Sequence, residues 1–293
     1  MRLFSRGGPT WTWRLMRLLI ASSKKHAFLD RSWISWMFAV TPSALRAPLA
    51  LRLLSLSPHY WVYQWTTRYP RKTPRQQVLV AEYERNAASR REICDKLLTP
   101  LLNREKTVLD FGCGPGFLAK AASAHVNRLI ATDISRGVIA CAKCLNSAPN
   151  LTYVVNESDR LCGIDDSSID LVYSFAVLQH LLKDQAKVFL SEFLRVVRPG
   201  GTIVCHMILK EPGEPRADDP SAGGWLAQRV NLRMVYFTAA EAVQLFQDAG
   251  FEDVKIKPVS SLADMEDDIG REQLVTGRRP AIAAASGLSR RAA

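Results

Sequence analysis

Val108-Leu109-Asp110-Phe111-Gly112-Cys113-Gly114-Pro115-Gly116 is the stretch whose reading decides the fold of this chain. A short apolar strand, Thr107 to Phe111, runs into a glycine-rich turn, and the turn opens a helix expected over Phe117 to His125. Glycines in such a turn let the backbone take positive φ and let a ligand approach with no Cβ in the way. The free N–H groups at the helix start favour a polar or anionic ligand group. Asp110 sets a carboxylate at the carboxyl end of the strand, the edge at which open α/β sheets bind ligands.

Working outward, the next strand, Arg128 to Thr132, ends in Asp133, 17 residues after Gly116. A carboxylate there can accept two hydrogen bonds from a ribose diol. A dinucleotide site would ask for G-x-G-x-x-G, whereas Gly112, Gly114 and Gly116 give G-x-G-x-G, with Phe117 in the place of the third dinucleotide glycine. A glycine turn without any ligand is the bland alternative. The pattern D-x-G-x-G-x-G followed by Asp133 resembles the class I S-adenosylmethionine (SAM) dependent methyltransferases.

The rest of the core reads as alternating strands and helices. Ile93, Leu97, Leu98, Leu101 and Leu102 line one face of a helix that begins near Gln76 and feeds the first strand. Ser135 is the N-cap of a helix running to about Asn146, Leu151 to Val155 is a third strand, and Ile169 to Ser174 a fourth. A helix from Lys183 buries Ala186, Phe189, Leu190, Phe193, Leu194 and Val197, and is stopped by Arg198-Pro199-Gly200-Gly201 before a fifth strand, Thr202 to Met207. Thr238 and Glu241 make a capping box for a helix ending at Gly250. Val254 to Ile256 and Gln273 to Thr276 are the last two strands. Such alternation calls for a mostly parallel sheet covered on both faces.

The resemblance therefore extends over Thr107 to Leu209 and is similar to the type 11, small-molecule branch of methyltransferases, including quinone-biosynthesis members, whose helix-to-strand turn matches Arg195 to Gly201. It implies an α/β, doubly wound, Rossmann-like sheet of seven strands with the final strand antiparallel, and SAM as cofactor. By that resemblance Asp110, Gly112, Cys113, Gly114 and Gly116 form the cofactor turn, with the glycines against the methionine portion and ribose. Asp133 holds the ribose hydroxyls and Ile134 packs on adenine. Glu157 and Ser158 lie at the adenine edge, with Asp159 as a fallback, and Ser174 and Phe175 line the methionine side. One departure is Cys162-Gly163, where relatives often place Pro and an aromatic residue.

Methyl transfer to an alcohol or phenol also needs a base, and a histidine suits neutral pH. His180, after the fourth strand, and His206, near the end of the fifth, are the candidates. The bland alternative for each is a packed or solvated histidine, and a carbon or amine acceptor needs neither. Arg85, Arg90 or Arg91 could reach the cofactor carboxylate, but a solvated helix face is the better reading of them, and Glu211 reads as a solvated loop carboxylate.

Charge is unevenly placed along the 293 residues. Residues 1–75 hold 13 Lys/Arg against Asp30 alone, a net of +12, whereas residues 76–276 carry a net of −5. The basic character thus belongs to the ends, which disfavours nucleic acid as substrate, as does the lack of an Asn-Pro-Pro-Tyr-like motif after the fourth strand. Six of the seven tryptophans (Trp11, Trp13, Trp33, Trp36, Trp61, Trp65) lie in those first 75 residues, which read as a helical extension. Its uncharged runs of 14 and 15 residues, Ser32 to Leu45 and Leu53 to Thr67, fall short of a spanning helix. Contact with an anionic membrane surface, a cap over the acceptor pocket, and an organelle transit peptide in a eukaryotic source are the three readings of this extension.

The expected domains are thus the basic extension 1–75, a methyltransferase domain 76–279, and a disordered tail 280–293. The expected location is the cytoplasm with a peripheral membrane contact, or a mitochondrion in a eukaryotic source. The expected acceptor is small or lipid-like, methylated on oxygen or carbon. A non-catalytic SAM-binding partner protein and an RNA methyltransferase are the rivals. The lone C-x-x-C of Cys141 and Cys144 has no second ligand pair, so free thiols and no metal are expected.

Overall fold

The computed structural model of the protein describes residues 32–55, 73–211, 235–259 and 272–281. Trp11, Trp13, Trp61, Trp65, most of the Lys210–Arg233 excursion and nearly all of the alanine-rich tail lie outside those residues. Two helices come first, α1 (Ser32–Val40) and α2 (Ser43–Leu54). Helix α3 (Arg75–Ile93) continues through a π-helical turn, Cys94–Leu98, and a 3-10 turn, Thr99–Leu101. The core then runs β1 (Thr107–Phe111), α4 (Phe117–Ser123), β2 (Arg128–Asp133), α5 (Arg136–Leu145), β3 (Leu151–Val155), β4 (Ile169–Ser174), α6 (Lys183–Val196) and β5 (Val197–Lys210). It closes with β6 (Phe237–Thr238), α7 (Ala239–Asp248), β7 (Glu252–Pro258) and β8 (Glu272–Arg278).

The main sheet has the order β3-β2-β1-β4-β5-β8-β7. Pairs from β3 through β5 are parallel, and β8 runs antiparallel between β5 and β7. The seven expected strands are joined by an eighth, the two-residue β6, which pairs in parallel with Leu209 and Lys210. Two residues carry no alternation from which a strand can be read. The order reverses between β1 and β4, because the chain leaves β1 toward β2 and β3 and returns to β4 on the other side. The crevice at the carboxyl ends of those two strands is where this architecture binds ligands.

Strand β1 is apolar without alternation because both of its faces are covered. Leu109 and Phe111 pack with Val172, Leu190, Phe193 and Ile203 on the α6–α7 side. Val108 packs with Leu118, Ala119, Leu129 and Leu171 on the α3–α4–α5 side. A third cluster joins Ile34, Phe38, Leu53 and Leu54 of α1 and α2 to Val138 and Cys141 on the outer face of α5.

The caps follow the sequence. Ser135 Oγ accepts from Val138 N at the start of α5, and Thr238 and Glu241 exchange both bonds of a capping box. Helix α6 ends at Val196, and the Pro-Gly-Gly turn lies within the extended chain of β5 rather than before it. A Cβ on Gly201 would stand 2.6 Å from Val197 Cγ1 and 2.9 Å from the Asp170 carbonyl oxygen. Asp170 itself, at the end of the sheet away from the crevice, accepts from Thr107 N at 2.7 Å and pairs with Arg198. No helix among the described residues is long and apolar enough to cross a membrane.

Candidate functional site

The glycine turn is held from two sides. Gly112 N and Cys113 N both donate to the Thr132 carbonyl at 2.8 Å, which ties the turn after β1 to the end of β2. Gly112 has φ 78°, and a Cβ there would stand 2.3 Å from Val177 Cγ2. Gly116 has φ 82°, and a Cβ there would stand 2.1 Å from the Tyr153 hydroxyl. The first and last glycines are therefore required by packing as well as by backbone conformation. The Tyr153 hydroxyl donates to the Asn146 carbonyl at 2.8 Å. The buried Asn146 amide donates to the Pro115 carbonyl at 2.8 Å and accepts from Tyr83 at 3.0 Å. Asn146, Tyr153 and Tyr83 fix the turn from β3 and two helices, and sequence reasoning did not find them, since each is an ordinary helix or strand residue by pattern.

Asp133 sits at the carboxyl end of β2, as expected for a ribose contact. One carboxylate oxygen accepts from Gly114 N and the other from Ser135 N, both at 2.9 Å. A carboxylate oxygen can accept more than one donor, so a side chain that orders the turn can also take hydroxyl donors. Ile134 beside it is 51% exposed, an apolar surface at the place where adenine is expected to pack.

Asp110 is buried opposite Tyr173, its partner in the β1–β4 ladder. Neither Asp110 Oδ2 nor the Tyr173 hydroxyl completes a hydrogen bond among the described residues. Burial pushes the Asp110 carboxyl up to about 8, helped by the nearby Asp133 charge and opposed by the Tyr173 hydroxyl. Burial, and then the two carboxylates, also raises the Cys113 thiol, so it stays neutral. An orphaned buried carboxyl oxygen, glycines with positive φ, a carboxylate at the adjacent strand end and an exposed isoleucine fit a cofactor that carries a cation, a ribose and an adenine.

The three residues expected at the adenine edge are all exposed. Glu157 is exposed and held by Arg136 through a bidentate pair, which keeps its carboxyl below the usual range. Ser158 and Asp159 are also exposed, with Ser158 Oγ accepting from Arg160 N at 3.0 Å. Ser174 is buried, and its hydroxyl donates to the Phe111 carbonyl at 3.1 Å, bridging the ends of β4 and β1. Its side chain is thus a brace for the two strands that flank the crevice. Ala176, two residues on, has φ 59°, a strained conformation of the kind found at binding loops.

On the other side of the crevice, Phe175 stacks on His206 with ring centroids 4.3 Å apart. The register explains the meeting: Ser174 pairs with Cys205, so both rings stand one residue beyond that rung. His206 is buried, and neither ring nitrogen completes a hydrogen bond among the described residues. Glu272 Oε2 lies 3.6 Å from His206 Nε2. The Arg90 guanidinium lies 5.9 Å from the centre of the Phe175 ring. Burial and the neighbouring Arg85 lower Arg90 from its ordinary value, while Glu272 raises it.

A solvated face thus accounts for Arg91 but not for its neighbours: Arg90 is half-buried, and Arg85 pairs at 2.7 Å with the fully buried Glu82. His180 is exposed on the turn Leu178–His180, and Glu211 is exposed at the end of β5. His206 is therefore the histidine gathered with an acid and an arginine. Glu272 carried no signal in the sequence, because only the β5–β8 pairing brings it to His206.

Cys141 and Cys144 are free thiols, with Cys141 buried against the Ala50 carbonyl of α2. At the opposite end of the sheet Cys94, Asp95 and His125 bring one donor atom each within 4.8 Å of the others. This cluster is remote from the crevice.

Comparison with known proteins follows the same outline. A family model described as a methyltransferase domain, type 11, matches residues 109–205. The chain is 31% identical over 147 residues to a protein of Mycolicibacterium smegmatis named "Probable S-adenosylmethionine-dependent methyltransferase", covering 50% of this chain and 52% of that one. It is 34% identical over 123 residues to the malonyl-acyl-carrier-protein O-methyltransferase of Hamiltonella defensa, covering 42% and 46%. It is 26% identical over 168 residues to the N-demethylindolmycin N-methyltransferase of Streptomyces griseus, covering 51% and 71%. The chain spans about half the length of the first two relatives.

Among solved structures, phosphoethanolamine N-methyltransferase 1 of Haemonchus contortus shares the fold at TM-score 0.51 and 18% identity, covering 69% of this chain and 44% of that one. The cyclase SpnF does so at TM-score 0.50 and 15% identity, covering 73% and 86%. At those identities the likeness is one of fold.

Proposed function

We propose, on the premise that residues 109–205 form a class I SAM-dependent methyltransferase domain, that this chain transfers a methyl group from SAM to a small, lipid-like acceptor through oxygen or carbon. The observation that carries the reading is the shared edge formed by the Gly112–Gly116 turn, Asp133, and the Phe175–His206 stack. The relatives named for malonyl-acyl-carrier-protein and N-demethylindolmycin methylation support a non-polymeric acceptor. The crevice wall of Phe175 and the imidazole face supports an acceptor with an apolar or aromatic body.

The cofactor, when bound, supplies a methyl group already activated on a sulfonium. The chain then contributes alignment and proton handling. Asp133, beside the glycine turn that it helps to order, fixes the nucleoside end. Ionised Asp110 favours a cationic group at the end of β1. Phe175 excludes water from the reacting side. His206, buried against Phe175, takes the proton of a hydroxyl acceptor on a ring nitrogen, and Glu272 beside Nε2 steadies the imidazolium that forms.

The test uses SAM labelled in its methyl group, purified protein and a total extract of the source cell. Label is expected in the organic phase, and less of it with His206→Asn. Label confined to the aqueous phase would remove the lipid-like acceptor, and label in neither phase would remove the activity.

A further inference from the structure

We propose that the exposed apolar stripe of α1, continued by Leu45 at the start of α2, docks the protein on an anionic lipid bilayer, lying in the plane of its headgroups. Helix α1 is Ser-Trp-Ile-Ser-Trp-Met-Phe-Ala-Val, nine residues without a charge. Helical spacing sets Ile34 and Phe38 on one stripe and Trp36 and Val40 on another. The first stripe is buried and packs with Leu53 and Leu54 against α5. The second faces water, with Trp36 66%, Val40 57% and Leu45 57% exposed. Apart from Ser32 and Ser35 the helix is apolar, and among the described residues it has a protein neighbour on only one of its apolar sides. At about 13 Å it is far too short to cross a hydrocarbon layer of about 30 Å. It is long enough to lie in the interfacial zone, where tryptophan sets an apolar ring in the acyl boundary and its N–H among headgroups.

Charge selects the occupant. Residues 32–55 contain Arg46 and Arg52 and no acid, and residues 1–75 carry a net of +12. A second copy of the chain would bring another net positive extension of the same sign. An anionic headgroup layer complements it, and the net of −5 on residues 76–276 keeps the rest of the chain from adhering without orientation. This inference goes beyond the methyl-transfer reading, and its evidence is independent of that reading.

The experiment is co-sedimentation of the full chain with vesicles of phosphatidylcholine containing about 30% phosphatidylglycerol, and with phosphatidylcholine alone, at low salt. The wild type is expected to bind the anionic vesicles at least tenfold better than the neutral ones. Trp36→Ser combined with Val40→Ser is expected to lower that binding about fivefold or more. Val188→Ser, at an exposed position of α6, is expected to leave it unchanged. Equal melting temperatures and equal S-adenosylhomocysteine affinity show that the variants are folded. A wild type that stays in the supernatant overturns the proposal, and so does a double variant that sediments like the wild type. A wild-type dimer that the double substitution dissociates also overturns it, by giving the stripe to a second copy. None of these outcomes bears on methyl transfer.

Discussion

Asp133 and Asp110 do opposite things with similar chemistry, and the environment of each decides which. Asp133 accepts from two backbone amides at the strand end, one on each carboxylate oxygen. Asp133→Ala should lower S-adenosylhomocysteine affinity roughly 10- to 100-fold, the worth of hydrogen bonds to a charged group, as titration calorimetry would show. Unchanged affinity would remove the ribose assignment. Asp110 is the reverse case, a buried carboxyl pushed up to about 8. Between the unfolded value near 4 and that folded value, the folded state holds a proton that the unfolded state has lost. Stability contributed at this position therefore falls as pH rises through that window and levels off above it. Asp110→Asn should flatten the decline in melting temperature from pH 5 to 8. A cationic cofactor favours the ionised form, so SAM binding below pH 8 should release a proton in the wild type and none in Asp110→Asn. Calorimetry in buffers of different protonation enthalpy reads that release. For the proposed base, Glu272→Gln should lower kcat with little change in SAM affinity. His206→Asn should lower kcat about 100-fold or more for a hydroxyl acceptor, again with little change in SAM affinity.

At the scale of elements, the crevice depends on how the β1 turn meets β3 and α5. Gly116→Ala adds a Cβ at positive φ against the Tyr153 hydroxyl. The two effects together should cost roughly 2–5 kcal/mol, seen as a melting temperature lower by about 5–15 °C. Tyr153→Phe alone removes one bond to the Asn146 carbonyl, about 1 kcal/mol. The double variant should recover part of the Gly116→Ala loss, because the hydroxyl oxygen is the nearest clashing atom at 2.1 Å while the ring carbon Cζ stays at 2.8 Å, and this coupling is the signature a double-mutant cycle would detect. These elements were largely readable in the sequence: the strand-turn-helix of β1, the Ser135 cap, and the capping box of α7 are local patterns. What escaped was set by neighbours. Arg90 shares its helix with exposed Arg91 and has the same local composition, yet lies by the Phe175 ring. The two-residue β6 exists only because β5 offers it a partner.

At the scale of the whole molecule, the amino-terminal helices bear on whether the chain melts as one body. Leu54 is fully buried, and its cluster includes Val138 and Cys141 of α5. Leu54→Ala should cost roughly 2–5 kcal/mol and lower a single calorimetric transition. A main transition left in place would mean that α1 and α2 melt apart from the sheet. The same packing bears on the cap reading, because the described part of the extension lies against the outer face of α5.

The sequence by itself determined the parallel sheet, the glycine turn and the acid that follows it, because these rest on local spacing: a strand period, a glycine at a forced backbone angle, an acid at the next strand end. Only the tertiary structure decided which histidine is buried against Phe175, that Glu272 stands beside it, that burial raises the Asp110 carboxyl, and which side of α1 is left to solvent. Each of these depends on groups far apart in the chain. Burial and Coulomb interactions act through space, at distances that registers and helix packing set and that residue order alone does not carry.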